Sequence, residues 1–240
     1  MASADGRGRT LFEILTGKNQ RDMTPLELQY HNPLEAKVGC TVCFEHEADI
    51  KDINFVIEKI SVYETQIGRQ KFYHTDYHLK GISLDVDNYI RMRLRVIPDE
   101  DAVNKLGCRI QLLYLYDEME YDQGFHEGVL GDPSGIFQVN YDDEGNELPD
   151  GSEKRYERVG GNTNPYHARL TLLEDKDGNA TVEESELEHS KATYWEYARN
   201  TDDENGQPFD EFLTVEMDDE TGFFTFFRGR EIEPYQVTVF

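Results

Sequence analysis

From residue 38 onward the chain alternates apolar and polar positions with a period of two far more often than it shows a helical stripe, and this predicts strands. The closing stretch, residues 191–240, shows it best. Four runs rich in aromatic and β-branched residues, KATYWEYAR, EFLTVEM, FFTFFRG and YQVTVF, are separated by the polar loop NTDDENGQPFD and the turn DDETG. Runs of this kind, punctuated by turn chemistry, predict an antiparallel meander. Phe223, Phe224, Phe226 and Phe227 put rings on both faces of one strand, which predicts a strand in the middle of a β core.

Earlier segments read in the same way. VGCTVCFEH (38–46) is a first strand. Residues 52–67, DINFVIEKISVYETQI, carry Ile53, Val56, Ile57 and Ile60 at helical spacing, but their density of β-branched residues favours one long or bent strand. QKFYHTDYHLKG returns after a tight turn at Gly68-Arg69. YIRMRLRVI (89–97) alternates strictly, with Ile90, Met92, Leu94 and Val96 predicted to point inward. CRIQLLYLYDEM (108–119) is apolar on both sides and is predicted to be central. Residues 117–166 change character: Gly, Asp, Glu, Asn and Pro dominate, and only GIFQVNY and KRYERV read as strands. HARLTLLEDKDGNATVEESEL reads as a strand and a turn leading into the closing meander. Before residue 36, TLFEILTG (10–17) has the pattern of a short capped helix, and Thr24-Pro25 gives a second helix-start signal. The expected fold is mainly β, an antiparallel sandwich or partly open barrel. It carries a short N-terminal helical arm (1–35) and long acidic loops, with one β-rich domain over 36–240 and a polar insertion around 117–166.

Charge changes the picture of what such a domain binds. Among 240 residues, 49 are acidic and 24 basic, a formal net charge of −25. A field of that sign repels phosphate backbones and anionic lipid surfaces, so nucleic acid is not an expected partner. A basic protein surface or cations fit better. Three cysteines and no cationic-then-apolar leader predict a reducing, cytoplasmic setting. No run approaches the ~18 apolar residues of a membrane helix.

Two clusters could carry chemistry. His74, Asp76 and His78 alternate along one strand and so share a face, and their imidazole and carboxylate groups suit Zn²⁺ or Fe²⁺. The outer pair would lie ~13 Å apart along a straight strand, so a plain polar face on a solvent-exposed edge strand is the simpler expectation. Arg91, Arg93 and Arg95 line one face of the next strand. They are expected either to pair across strands with the protein's own carboxylates, or to form a site for an anion or a partner. Cys40 and Cys43 have metal-like or redox-like spacing, but on a strand they point to opposite faces and are expected to be buried structural thiols, as is Cys108. Asp175, Asp177 and Glu184 fall at calcium-loop positions around Gly178, but Leu173 occupies the first ligand position. An Asp-Gly turn accounts for them, with weak Ca or Zn binding left open. Residues 142–146 and 218–222 read as similar turns. No phosphate-cradling loop and no nucleophile elbow are present in the sequence.

Three stretches, PLEAKVGCTVCFE, YERVGG and YWEYAR…EFLTVEMDDETGFFTFFRGREIEPYQVTVF, together resemble the bacterial YjfK-like family, whose function is unknown. The resemblance includes the Tyr-rich strand, Arg199, the apolar strand ending in Glu216 and the final Val-Thr-Val strand. It implies a bacterial cytoplasmic protein working beside membrane-remodelling proteins, and supplies no catalytic residues. The acidic surface, the long loops and the lack of any reaction signature make a non-catalytic acidic interaction protein the leading expectation. The alternatives are a metal-dependent enzyme or small-ligand-binding barrel built on the His74 and Arg91 strands, and a self-associating structural subunit.

Overall fold

A computed structural model describes residues 36–45, 50–51, 53–67, 69–82, 89–99, 107–142, 146–149, 151–159, 165–173, 188–203, 206–219 and 221–240. The expected N-terminal arm and the calcium-like loop at 175–184 lie outside the described residues. Twelve strands are described: β1 (Thr41–Phe44), β2 (Phe55–Ile67), β3 (Gln70–Ile82), β4 (Tyr89–Pro98), β5 (Cys108–Met119), β6 (Ile136–Val139), β7 (Lys154–Arg158), β8 (Tyr166–Leu173), β9 (Glu188–Asp202), β10 (Pro208–Asp218), β11 (Phe224–Ile232) and β12 (Val237–Val239).

Eight of them close on themselves. The order β2-β3-β4-β5-β11-β10-β9-β8 returns to β2 through the β2–β8 pairing, and every pairing is antiparallel. The sheet is thus a closed barrel, not a sandwich or a partly open one. Full closure leaves these eight strands no edge within the ring. The ring has two forks. The start of β2 pairs with β1, which carries β12, while the far end of β9 pairs with β7, which carries β6. The meander β9-β10-β11 forms as its sequence predicts. The last run does not join it, because the free side of β11 is taken by β5. The chain turns through Pro234–Gln236, and β12 pairs with β1 instead. Residues 55–67 are the long bent strand, with a bulge between Ile57 and Lys59.

In a ring, the two faces of each strand become a lumen face and an outer face. Ile90, Met92, Leu94 and Val96 are not in the lumen. Met92, Leu94 and Val96 are buried on the outer face with Tyr77, Leu79, Ile110 and Leu112, against Val42 and Phe44 of β1 and Ile232. A second outer core joins Trp195, Tyr197, Leu213, Val215, Phe224 and Phe226 to Leu130, Phe137 and Tyr156, so the polar insertion covers a barrel wall. A helical turn at Gln123–Phe125 continues into a wider one at His126–Leu130, and Arg158 fastens it by donating to the Leu130 carbonyl and the Tyr197 hydroxyl. β11 does sit between β5 and β10, with Phe224 and Phe226 facing outward and Phe227 buried across the bulge, though Phe223 is exposed.

Candidate functional site

Both apolar faces of this barrel lie outside, so the lumen receives the polar parity of the strands. Register puts Asp76 of β3 directly opposite Arg95 of β4, and His78 opposite Arg93. Arg95 donates to both Asp76 oxygens, from Nε at 2.9 Å and Nη2 at 3.0 Å, a bidentate pair. It also reaches the Thr214 hydroxyl at 3.4 Å. Arg93 crosses the barrel to Glu216 of β10 at 2.5 Å, touches Asp76 at 3.4 Å, and lies over the Phe227 ring at 3.9 Å. The Tyr63 hydroxyl receives a hydrogen bond from Arg93 at 3.1 Å and donates to Glu216 at 3.0 Å. Its ring stacks on His74 at 4.4 Å between centroids. At the far end Phe72, Ile97, Ala168, Ala192 and Tyr194 plug the lumen, and Thr65 bonds Tyr194 at 3.0 Å.

The electrostatics follow from this packing. Burial alone would raise the Asp76 carboxyl, but Arg95, with help from His74 and Arg93, overrides it and holds Asp76 below the usual carboxylate range. Burial opposes charge on Arg93 and Arg95 too, and Glu216 and Asp76 respectively keep them charged. Burial and then Arg95 depress His74 to about 3, so it is neutral although its Nε2 lies 3.8 Å from Asp76. Desolvation and then Arg93 likewise hold His78 well below its ordinary value. Glu196, fully buried, is pushed up to about 7 by burial, with Arg95 opposing, and neither of its oxygens has a hydrogen-bond partner.

The His74–Asp76–His78 row therefore does not lie on a solvent-facing edge. β3 stands between β2 and β4, and the row faces the lumen. His74 and Asp76 come together, but both Asp76 oxygens are taken by guanidinium. His78 is held elsewhere, with its Nε2 2.7 Å from the Ser61 hydroxyl. Among the described residues no group of three His, Cys, Asp or Glu side chains is arranged to hold a metal ion. Cys40 and Cys43 are half-buried rather than buried, Cys108 is buried, and none of the three forms a disulfide.

The arginine stripe splits. Arg95 and Arg93 pair internally, whereas Arg91 is exposed and, among the described residues, has no ion-pair partner. Arg91 stands at one mouth of the barrel, in a pocket of ≈ 260 Å³ shared with Lys59, His78, Arg93, Leu115 and Phe227, and bordered by Glu58 and Glu118. Glu58 is already bound by Lys80 at 3.1 Å. Because His78 is neutral and Arg93 is paired with Glu216, the guanidinium offered here is that of Arg91. The Ser61–His78 contact has the reach of a nucleophile and its base, but Ser61 is fully buried and does not line the pocket.

Sequence reasoning missed Tyr63, Glu196, Glu216, Leu115 and Phe227. An acid set inside an aromatic run, as in Trp195-Glu196-Tyr197, is the one local signal that marks a buried carboxyl. No family model matches the chain, and no curated protein or solved structure was found similar to it.

Proposed function

We propose that the protein is a binding protein that takes a small anion at the barrel mouth, with Arg91 as the recognising group. The observation that carries this is the exposed Arg91 guanidinium, without an ion-pair partner among the described residues and set in a concave pocket of a chain whose acidic groups outnumber its basic ones two to one. The lumen behind it supports binding rather than turnover. Asp76 and Glu216 are engaged by arginine and tyrosine donors, and so brace the ring that holds the pocket open. The acidic exterior serves solubility in this reading and keeps the anion preference local to the mouth.

Calorimetric titration of acetate and of tetramethylammonium into the full chain and an R91A variant tests it. Acetate is expected to bind the native chain, at least about tenfold weaker to R91A, given what a charge-assisted hydrogen bond contributes. Tetramethylammonium is expected to give no saturable heat. Absence of acetate binding, or an R91A variant that binds it equally well, overturns the reading.

A further inference from the structure

We infer that the ligand of the mouth is a monocarboxylate with a compact apolar body, an inference that rests on anion binding at Arg91. The pocket has two unlike walls. One carries Arg91 and Lys59; the other is formed by Leu115 of β5 and Phe227 of β11. Phe227 lies almost fully buried beneath Arg93, so the open apolar surface is that of half-buried Leu115, where an apolar group leaves water for an existing hydrophobic side chain. The rim also selects against some ligands. Glu58 and Glu118 flank the opening, and Glu118 is exposed beside Thr225, with which it is in register. A second negative charge on the ligand would meet those carboxylates, whereas a single carboxylate reaching Arg91 would not.

Chain irregularity builds this arrangement. β5 carries one extra residue, Tyr116, between Leu115, which pairs with Phe227, and Asp117, which pairs with Phe226. Leu115 and Glu118, three apart, can therefore both line the pocket, which a regular strand would forbid. On β2 the bulge does the same for the adjacent pair Glu58 and Lys59. Two bulges thus place an acid at the rim and an apolar or cationic side chain within. Arg93, whose Nε is buried without a partner, closes the floor over Phe227.

The test is a titration series of acetate, butanoate and hexanoate, with succinate and inorganic phosphate as dianionic competitors, on the full chain and on L115A and E118Q. Affinity is expected to rise about fourfold per added methylene until the pocket is filled, and succinate and phosphate to bind at least about tenfold weaker than hexanoate. L115A should flatten the series, and E118Q should admit succinate. Equal affinity for acetate and hexanoate overturns this inference but leaves anion binding standing. Succinate or phosphate binding as tightly as hexanoate overturns it as well. Failure of every anion removes the underlying reading instead.

Discussion

Glu196 is the side chain whose charge the lumen balances least. It faces the Arg95–Asp76 pair, is fully buried, and has no hydrogen-bond partner for either oxygen. Its folded-state value of about 7 lies above the ordinary 4.5, so between those two values the native chain holds a proton that the unfolded chain has released. Stability conferred by this group is therefore present below about pH 4.5 and is lost as pH rises to about 7, a loss of roughly 3 kcal/mol. His74 acts in the opposite sense. Its value of about 3 lies below the ordinary 6.5, so stability is present above pH 6.5 and is lost as pH falls toward 3. In the overlap, pH 4.5 to 6.5, the two slopes oppose each other. An E196Q variant should show a rise up to about pH 6.5 and then a plateau, and should exceed the native chain at pH 8. Urea unfolding of both chains at pH 5 and pH 8 reads this directly, and identical pH profiles would contradict it. The histidine row and the arginine stripe were legible because alternation shows at two-residue spacing. Glu216 was not legible as their partner, because its contact with Arg93 joins residues 123 apart.

At the scale of elements, strand identity was legible almost throughout, and the direction each face points was not. Met92 and Leu94 read as inward because an apolar face normally seeks the core. Here the core is a pair of outer layers, and the ring turns its polar parity inward. Nothing local in YIRMRLRVI distinguishes the two cases. Bulges are as hard to read, since Tyr116 and Glu58 are ordinary residues whose special position depends on a partner strand. Near the bulge, β11 passes close against β5 at Gly229. A β-carbon at Gly229 would run into the Leu112 carbonyl oxygen and crowd the Leu113 backbone, neither of which can rotate away. G229A should therefore part the seam, with a stability loss of about 1–3 kcal/mol. Denaturant midpoints measure it, and a neutral substitution would refute the close approach.

Over the whole molecule, charge separates into two regimes. The chain as a whole carries a net −25, while the lumen holds compensated pairs sheltered from solvent. Mobile ions screen exposed charges beyond about 8–10 Å at ordinary ionic strength and scarcely reach buried pairs. Added NaCl should consequently relieve surface repulsion without weakening the lumen. The melting temperature is expected to rise between low salt and about 0.5 M, measured by thermal denaturation. A fall would mean that the paired arginines are open to solvent. Acidity and β content were readable from composition and pattern. The closed ring was not, since it depends on β8 returning to β2, a pairing between residues as distant as Ser61 and Leu172.

That late return fixes an order of assembly. β2 to β5, successive hairpins in the finished fold, leave the ribosome long before β8 to β11 exist to complete the circle. For that interval the future lumen is a bare surface and Arg93 waits for Glu216. Had that surface been lined with leucine and valine, the half-made protein would have offered neighbouring nascent chains a sticky sheet. Lined along its middle with histidine, aspartate and arginine, that stretch stays wetted until the last staves arrive.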